Sequence, residues 1–497
     1  MTRSPARPLG AERLAVLACA LTAVLLALTV ALADAPYATG DEPPHVDYAY
    51  QLWHGDLPVF EDGLRLRPDG AWLAPVQWTA QHPPLYYLLI APLVGPLADA
   101  GHPVAAVYAA RGVNVLLAGV LVVAAWWSAR RLTRPGSTLP VLVAFLTGLM
   151  AAVAHVGGAA YNDLLAALCV TVLLGLVGTV VRRGLDARLI ALISGVAAAA
   201  SLTRLSAAAI ALAVAAVAVV AGAVRARQGR GGWGPVIALA VAGPVTVLAT
   251  SSWFYLRNLA LTGSITGSHF DWALANQNRT VRPVWAVLVD PVTWARLPDV
   301  FWWAGRTPPN EPYPVTTLVV TALLLVWVPL IIAARAALRR ARRLTQESTA
   351  GNADDPGAGR TDGLLLLALP AGAVAVAVTM QVLYAANSGG VYPRYLLVVS
   401  LPLCLAIAAG LSTRPRRYLP AWTAVALADL VVWLVVELSS APPAGYYAEL
   451  PVPAALVAAL ACGAAVVSAR AVLRANRPQA STAATAASTS TETSTAS

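Results

Sequence analysis

Residues 40–55 read GDEPPHVDYAYQLWHG and set Asp41, Glu42, His45 and Asp47 within seven positions. Carboxylates beside an imidazole are groups that move protons in general acid–base chemistry. Helix capping is the competing explanation, since an acidic residue before Pro43-Pro44 starts a helix well. Capping needs one carboxylate, however, and four ionisable groups stand here. A second polar set is His155, Gly157-Gly158 and Tyr161-Asn162-Asp163, where Asn162 or Asp163 also suits a cap. The third set is cationic: Arg111, Arg204 in SLTRLSA, Arg257 in WFYLRN and Arg394 in GGVYPRYLL. Forked guanidinium donors match the geometry of a phosphate, and Arg in or beside an apolar helix usually has a partner or a task.

The elements that hold these groups are apolar. Of 497 residues 58% are hydrophobic and 12% are charged, and uncharged runs of bilayer-crossing length recur along the chain. The fold class expected is all-α: a polytopic membrane protein of twelve spans near 14–33, 107–128, 139–156, 163–181, 188–203, 206–224, 235–256, 314–334, 363–384, 394–411, 419–438 and 453–473. The junction at 203–206 is tight enough for a single broken hairpin. The formal charge of +10 comes from 34 basic residues, all Arg, against 24 acids. On this topology 24 Arg and 7 acids share one side, leaving 10 Arg and 17 acids on the other side or within the membrane. That asymmetry marks the cytoplasmic side, places both termini there in the plasma membrane, and argues against a nucleic-acid partner.

Residues 1–475 form the membrane domain on this reading. They include a first external loop 34–106, a second external loop 257–313 and a cytoplasmic loop 335–362. The external loops carry eight of the fifteen Trp, Trp302-Trp303 among them. HPPLYYLLIAPLVGPL (82–97) is too short and proline-rich to span and reads as an interfacial or re-entrant helix. The helix from Pro44 is amphipathic, with Val46, Ala49, Tyr50 and Trp53 toward lipid and His45, Tyr48, Gln51 and Leu52 on another side, so it is expected to lie along the membrane surface. Residues 341–362 and the Ala/Ser/Thr-rich tail 476–497 lack apolar periodicity and read as disordered. Cys19, Cys169, Cys404 and Cys462 fall within spans, without metal-ligand spacing. The small-residue sequence ALADA after the first apolar run raises a cleaved signal peptide, but the run exceeds the usual length and reads as a retained helix.

Asp41, Glu42, Asp163 and the arginines thus fall at one external rim. A carboxylate there would take the proton of an acceptor hydroxyl while the arginines stabilise charge on a departing lipid phosphate. One base promoting direct displacement at an anomeric carbon inverts its configuration.

The ordered set GDEPPH after the first span, HPPLYYLL before the second, YND opening the fourth, SLTR between the fifth and sixth, WFYLRN ending the seventh and YPRYLL in a late span resembles the C-class membrane glycosyltransferases (GT-C). It is similar within them to the family 39 group of protein mannosyltransferases and the aminoarabinose transferase, over roughly residues 14–411. The resemblance implies a polyprenyl-phosphate sugar donor, the bilayer as its medium, and inverting transfer on the outer face to an acceptor it does not identify. It makes Asp41 the general base with Glu42 as neighbour and Asp163 a second rim acid. Donor phosphate then falls to Arg111, Arg204, Arg257, Arg394 and Tyr395, and donor or acceptor contacts to His45, Tyr48, His82 and Asn162. No D-x-D motif is present, so a divalent metal stays open and no metal ligand is named. The soluble C-terminal domain of oligosaccharyl transferases has no counterpart, which turns the expectation from that branch. A transporter or lipid-linked sugar flippase, with Asp429 as its deep acid, and a non-catalytic assembly protein are the alternatives.

Overall fold

The computed structural model describes residues 9–38, 40–71, 73–297, 300–301, 320–349, 357–439 and 447–476. Trp302-Trp303 and the tail beyond Asn476 lie outside them. Among the described residues every regular element is helical. The first half runs α1 (Leu9–Ala33), α2 (Glu42–Trp53), α3 (Leu85–Asp99), α4 (Pro103–Leu132), α5 (Leu139–Gly148), α6 (Ala151–Gly157), α7 (Asp163–Arg183), α8 (Ala187–Ser201), α9 (Leu205–Arg227) and α10 (Trp233–Thr262). Short helices α11 (Phe270–Asn276), α12 (Val284–Val289) and α13 (Pro291–Arg296) follow, then α14 (Val328–Thr349), α15 (Gly357–Ala386), α16 (Ser400–Leu411), α17 (Tyr418–Ser439) and α18 (Pro451–Ala475). Helix ends follow local chemistry: proline sits in the first turn of α2, α4 and α18, and Gly263 stops α10 at φ 70°.

Among the described residues ten helices are long and apolar enough to cross a membrane, and α5 with α6 makes an eleventh crossing if that bent pair is one span. The expected span 139–156 is therefore broken, with a bend of 51°. Gly148 lies against the Cys19 carbonyl of α1 at the break, and the Val300 carbonyl accepts the Ala152 amide at 3.1 Å. A break inside the bundle is tolerated when its polar backbone is satisfied in this way. The expected span 188–203 is only the fifteen-residue α8, about 22 Å long against a hydrocarbon core of about 30 Å. Its helix stops short, and the extended segment through Arg204, which pairs with Asp163 at the start of α7, completes that return passage before α9. The reading of 341–362 as disordered also needs correction at its two ends: α14 continues to Thr349 and α15 starts at Gly357. The Ala, Leu and Arg of AARAALRRARRL are strong helix formers, which sustains α14 past its apolar part.

Two apolar cores result. The larger holds the bundle, with α1 between α4, α5 and the last helix α18, and Thr22 and Ser468 hydroxyls hydrogen-bonded at 3.1 Å across that last contact. The smaller joins α2, α3 and the start of α4 through Val46, Tyr48, Tyr86, Tyr87, Ile90 and Val107. Here the lipid-facing assignment of Val46 and Ala49 is overturned, because Val46, Tyr48 and Ala49 are fully buried and only the last residue of α2, Trp53, is well exposed. The outward apolar residues belong to α3, namely Leu88, Leu89 and Leu93. Helix α2 goes inside because its polar groups find partners there. Asp47 accepts from the Arg65 and Leu66 amides at 2.8 and 2.7 Å and from Gln51 and Gln77 at 2.7 and 2.6 Å.

One end of the bundle carries Asp41, Asp163 and Arg394. The opposite end carries most arginines, among them Arg130 with Glu12 at 3.6 Å and Arg230 with Asp362 at 2.7 Å.

Candidate active site

Asp41 precedes α2, and its side chain makes no capping hydrogen bond. It pairs instead with Arg394, 353 residues away in sequence, at the start of the turn of 3-10 helix Pro393–Val399 that leads into α16. Asn162 likewise precedes α7 without capping it. Its amide donates to the Thr203 carbonyl at 3.1 Å, and its Oδ1 accepts from Arg204 at 3.3 Å. Arg204 also pairs with Asp163. The early stop of α8 thus does structural work, since extended backbone at 204 turns the guanidinium onto the first residue of α7.

The two acid–arginine pairs share an aromatic wall. Arg204 and Arg394 lie 5.3 and 5.4 Å from the Tyr395 ring centroid, and Arg394 lies 4.9 Å from that of Tyr161. Asp163 is nearly enclosed, with a side chain 3% exposed, whereas Asp41 is 31% exposed. Arg394 Nε is buried and has no hydrogen-bond partner, so the more open pair retains a buried donor that another acceptor can take. The Asp41 pKa balances opposing effects: burial pushes it up, but Arg394, with His82 and Arg204 further away, holds the carboxyl below its usual range.

His45 and His82 back this pair, their rings stacked with centroids 6.2 Å apart. His45 Nδ1 lies 2.9 Å from the Tyr87 hydroxyl, and its ring is 5.2 Å from Tyr161. Burial first, then the nearby arginines, press both histidines well below the usual imidazole range, so both are neutral. Tyr48 donates to the His82 carbonyl at 2.9 Å and stacks on Tyr87 at 3.8 Å. Its hydroxyl is spent in positioning His82, which corrects the expectation that it meets a ligand.

Three further expected residues leave the set. Arg111 is 1% exposed, and all five of its donors are engaged. Nε and Nη2 grip Glu42 at 2.8 and 2.7 Å, Nη1 reaches the Ala31 and Asp34 carbonyls, and Nη2 also reaches that of Ala35. Nothing remains for a lipid phosphate. Glu42, fully buried, takes Arg111 together with the Ala160 and Tyr37 amides at 3.2 Å each, so it joins α1, α2, α4 and α6–α7 rather than facing a substrate. Arg257 contacts neither rim acid: it donates to the Leu57 and Pro58 carbonyls at 3.3 and 2.8 Å, fastening α10 to the segment after α2.

Asp41, Asp163, Arg204, Arg394, Tyr395, Asn162, His45 and His82 are therefore brought together. Tyr161, named in sequence beside Asn162-Asp163 but given no role there, joins them, as does Tyr87, which the sequence did not single out. Among the described residues no three His, Cys, Asp or Glu side chains converge as metal ligands, and each rim acid holds an arginine instead.

No family model matches the chain, and no curated protein matches it. Solved structures do. The crystal structure of ArnT from Cupriavidus metallidurans bound to undecaprenyl phosphate aligns with 93% of this chain and 75% of its own, at 13% identity and TM-score 0.46. The Archaeoglobus fulgidus oligosaccharyltransferase in the apo form aligns with 94% of this chain at 14% identity and TM-score 0.45. The archaeal oligosaccharyltransferase AglB from Archaeoglobus fulgidus, in complex with an inhibitory peptide and a dolichol-phosphate, aligns with 93% at 14% identity and TM-score 0.44. This chain spans 56% of each of those two. The likeness is loose.

Proposed function

We propose that this chain is an inverting glycosyltransferase that moves a sugar from a polyprenyl-phosphate donor to an acceptor hydroxyl at the outer face of the plasma membrane. The observation that carries the reading is the pairing of Asp41 with Arg394 beside Asp163 with Arg204, with one buried Arg394 donor unspent. By the positive-inside rule the arginine-rich end and both termini face the cytoplasm, which puts Asp41 outside.

In the proposed step the acceptor oxygen attacks the anomeric carbon as Asp41 takes its proton. The bond from that carbon to the phosphate oxygen breaks, and the electron pair leaves on the polyprenyl phosphate, steadied by Arg394 and Arg204. In the free protein Asp41 is a weak base because Arg394 holds it. A donor phosphate competes for the same guanidinium, so donor binding loosens Asp41 and raises its basicity where the acceptor arrives. Asp163, nearly enclosed, keeps Arg204 in place, and Tyr161 and Tyr395 fix the guanidinium planes.

The test is transfer of radiolabelled sugar from polyprenyl-phosphate mannose, glucose and arabinose by membranes carrying wild type or Asp41→Asn. A general base contributes about 10²–10⁴ in rate, so the variant should fall by at least about a hundredfold. Full transfer by Asp41→Asn would remove the assigned base. Label crossing the membrane without covalent transfer would favour the transporter.

A further inference from the structure

At the end of the bundle opposite Asp41, a groove of about 360 Å³ is lined by Ile332, Arg335, Arg339, Thr413, Arg414 and Tyr418. It lies between α14 and the turn from α16 to α17. Several other arginines at that end are already occupied. Arg130 has Glu12, Arg225 and Arg230 have Asp362, Arg131 stacks on Trp127 at 4.0 Å, and Arg182 donates to the Arg131 and Thr133 carbonyls. The groove differs: among the described residues no carboxylate pairs with Arg335, Arg339 or Arg414. Arg339 spends only Nε, on the Arg335 carbonyl at 3.3 Å, and Arg414 sits 5.9 Å from the Tyr418 ring centroid. Arg416 and Arg417 line an adjoining cavity with Arg414. The neighbouring Ser412 Oγ is buried without a hydrogen-bond partner. Three cations gathered around a concave site repel one another unless an anion joins them.

The walls say which anion. Ile332 and Tyr418 give the groove an apolar side, and Ile331 and Leu338 of α14 stand 47% and 60% exposed beside it. A cationic mouth opening onto apolar helix surface at the end of a span suits a headgroup whose acyl chains continue along the helices. We propose that this groove is a binding site for the phosphate of an anionic phospholipid, separate from the Asp41 site and independent of the transferase reading. Arg335 and Arg414 grip the phosphate from the two elements, and the Tyr418 ring and Ile332 receive the glycerol and upper chain.

The test is native mass spectrometry of the purified full chain, loaded with phosphatidylglycerol or phosphatidylcholine. Wild type should retain phosphatidylglycerol preferentially. An arginine near a membrane surface contributes about fivefold to anionic-lipid binding, so R335Q/R414Q should lose roughly thirtyfold and each single variant about fivefold. The double variant R183Q/R188Q, two exposed arginines at the same end, should bind as wild type does. Wild-type retention by R335Q and R414Q, no preference for phosphatidylglycerol, or the same loss in R183Q/R188Q as in R335Q/R414Q would overturn the site. Complete displacement by millimolar inorganic phosphate would overturn its assignment to a lipid. The single variants keep the test decisive if the double variant elutes as aggregate.

Discussion

Replacing Glu42 by Gln separates a structural carboxylate from a catalytic one. The wild-type carboxylate, fully buried, accepts four donors: Arg111 Nε and Nη2 and the Ala160 and Tyr37 amides. The glutamine oxygen can keep one side of that arrangement. Its NH₂ must then face either Arg111 Nη2 and the Tyr37 amide or, flipped, Arg111 Nε and the Ala160 amide, donor against donor, and the buried guanidinium loses its counter-charge. Breaking one partner of a buried pair costs about 3–5 kcal/mol, a large share of a typical stability of about 5–15 kcal/mol. The assay is a thermal melt of detergent-purified Glu42→Gln, Arg111→Met and the double variant, with transfer measured per folded molecule. Both singles should melt well below wild type. The double should be less destabilised than their sum, by up to about 3 kcal/mol, because neither charge is left alone. Transfer per folded molecule should stay within a few-fold. A Glu42→Gln protein with an unchanged melt and transfer reduced a hundredfold or more would refute the reasoning and return Glu42 to the chemistry; strictly additive destabilisation would refute the pairing.

Because Arg394 holds the Asp41 carboxyl below its usual range, the acid limb of kcat/KM for donor should lie below the ordinary aspartate value of 3.8. If donor phosphate draws Arg394 away, the acid limb of kcat should lie at higher pH; coincident limbs would count against that exchange. His45 is held neutral when folded and has a reference value of 6.5. The unfolded chain therefore takes up a proton that the folded one refuses, and stability falls as pH drops below 6.5, with a slope approaching about 1.4 kcal/mol per pH unit for one proton. His45→Gln should remove that share of the slope in melts between pH 7 and 5, leaving the share of His82. At the break between α5 and α6, a Cβ on Gly148 would stand 2.7 Å from the Cys19 carbonyl oxygen. Gly148→Ala should therefore destabilise by about 1–3 kcal/mol, and an unchanged melt would show that α1 and α5 are not pressed together there.

The sequence by itself determined the medium and the elements. Apolar runs with arginine-rich ends specify helices of membrane-crossing length whatever surrounds them, because an unpaired backbone amide in hydrocarbon is too costly for other solutions. Local chemistry also made Asp41, Asp163 and the scattered arginines conspicuous, since charge beside such runs is expensive. Pairing was a different matter. Glu42 and Asp41 are adjacent and equally acidic, yet one is consumed by Arg111 from α4 and the other meets Arg394 from beyond α15. Likewise Arg111 and Arg394 are equally basic in sequence. Only tertiary packing spends every donor of the first on carbonyls and Glu42 and leaves a buried donor of the second unclaimed. Helix α2 shows the same limit: its pattern is amphipathic, but α3 covers its apolar face and supplies the exposed leucines itself. Periodicity records which face is apolar. What that face meets, and which of two neighbouring charges is neutralised, depends on helices brought together from hundreds of residues away.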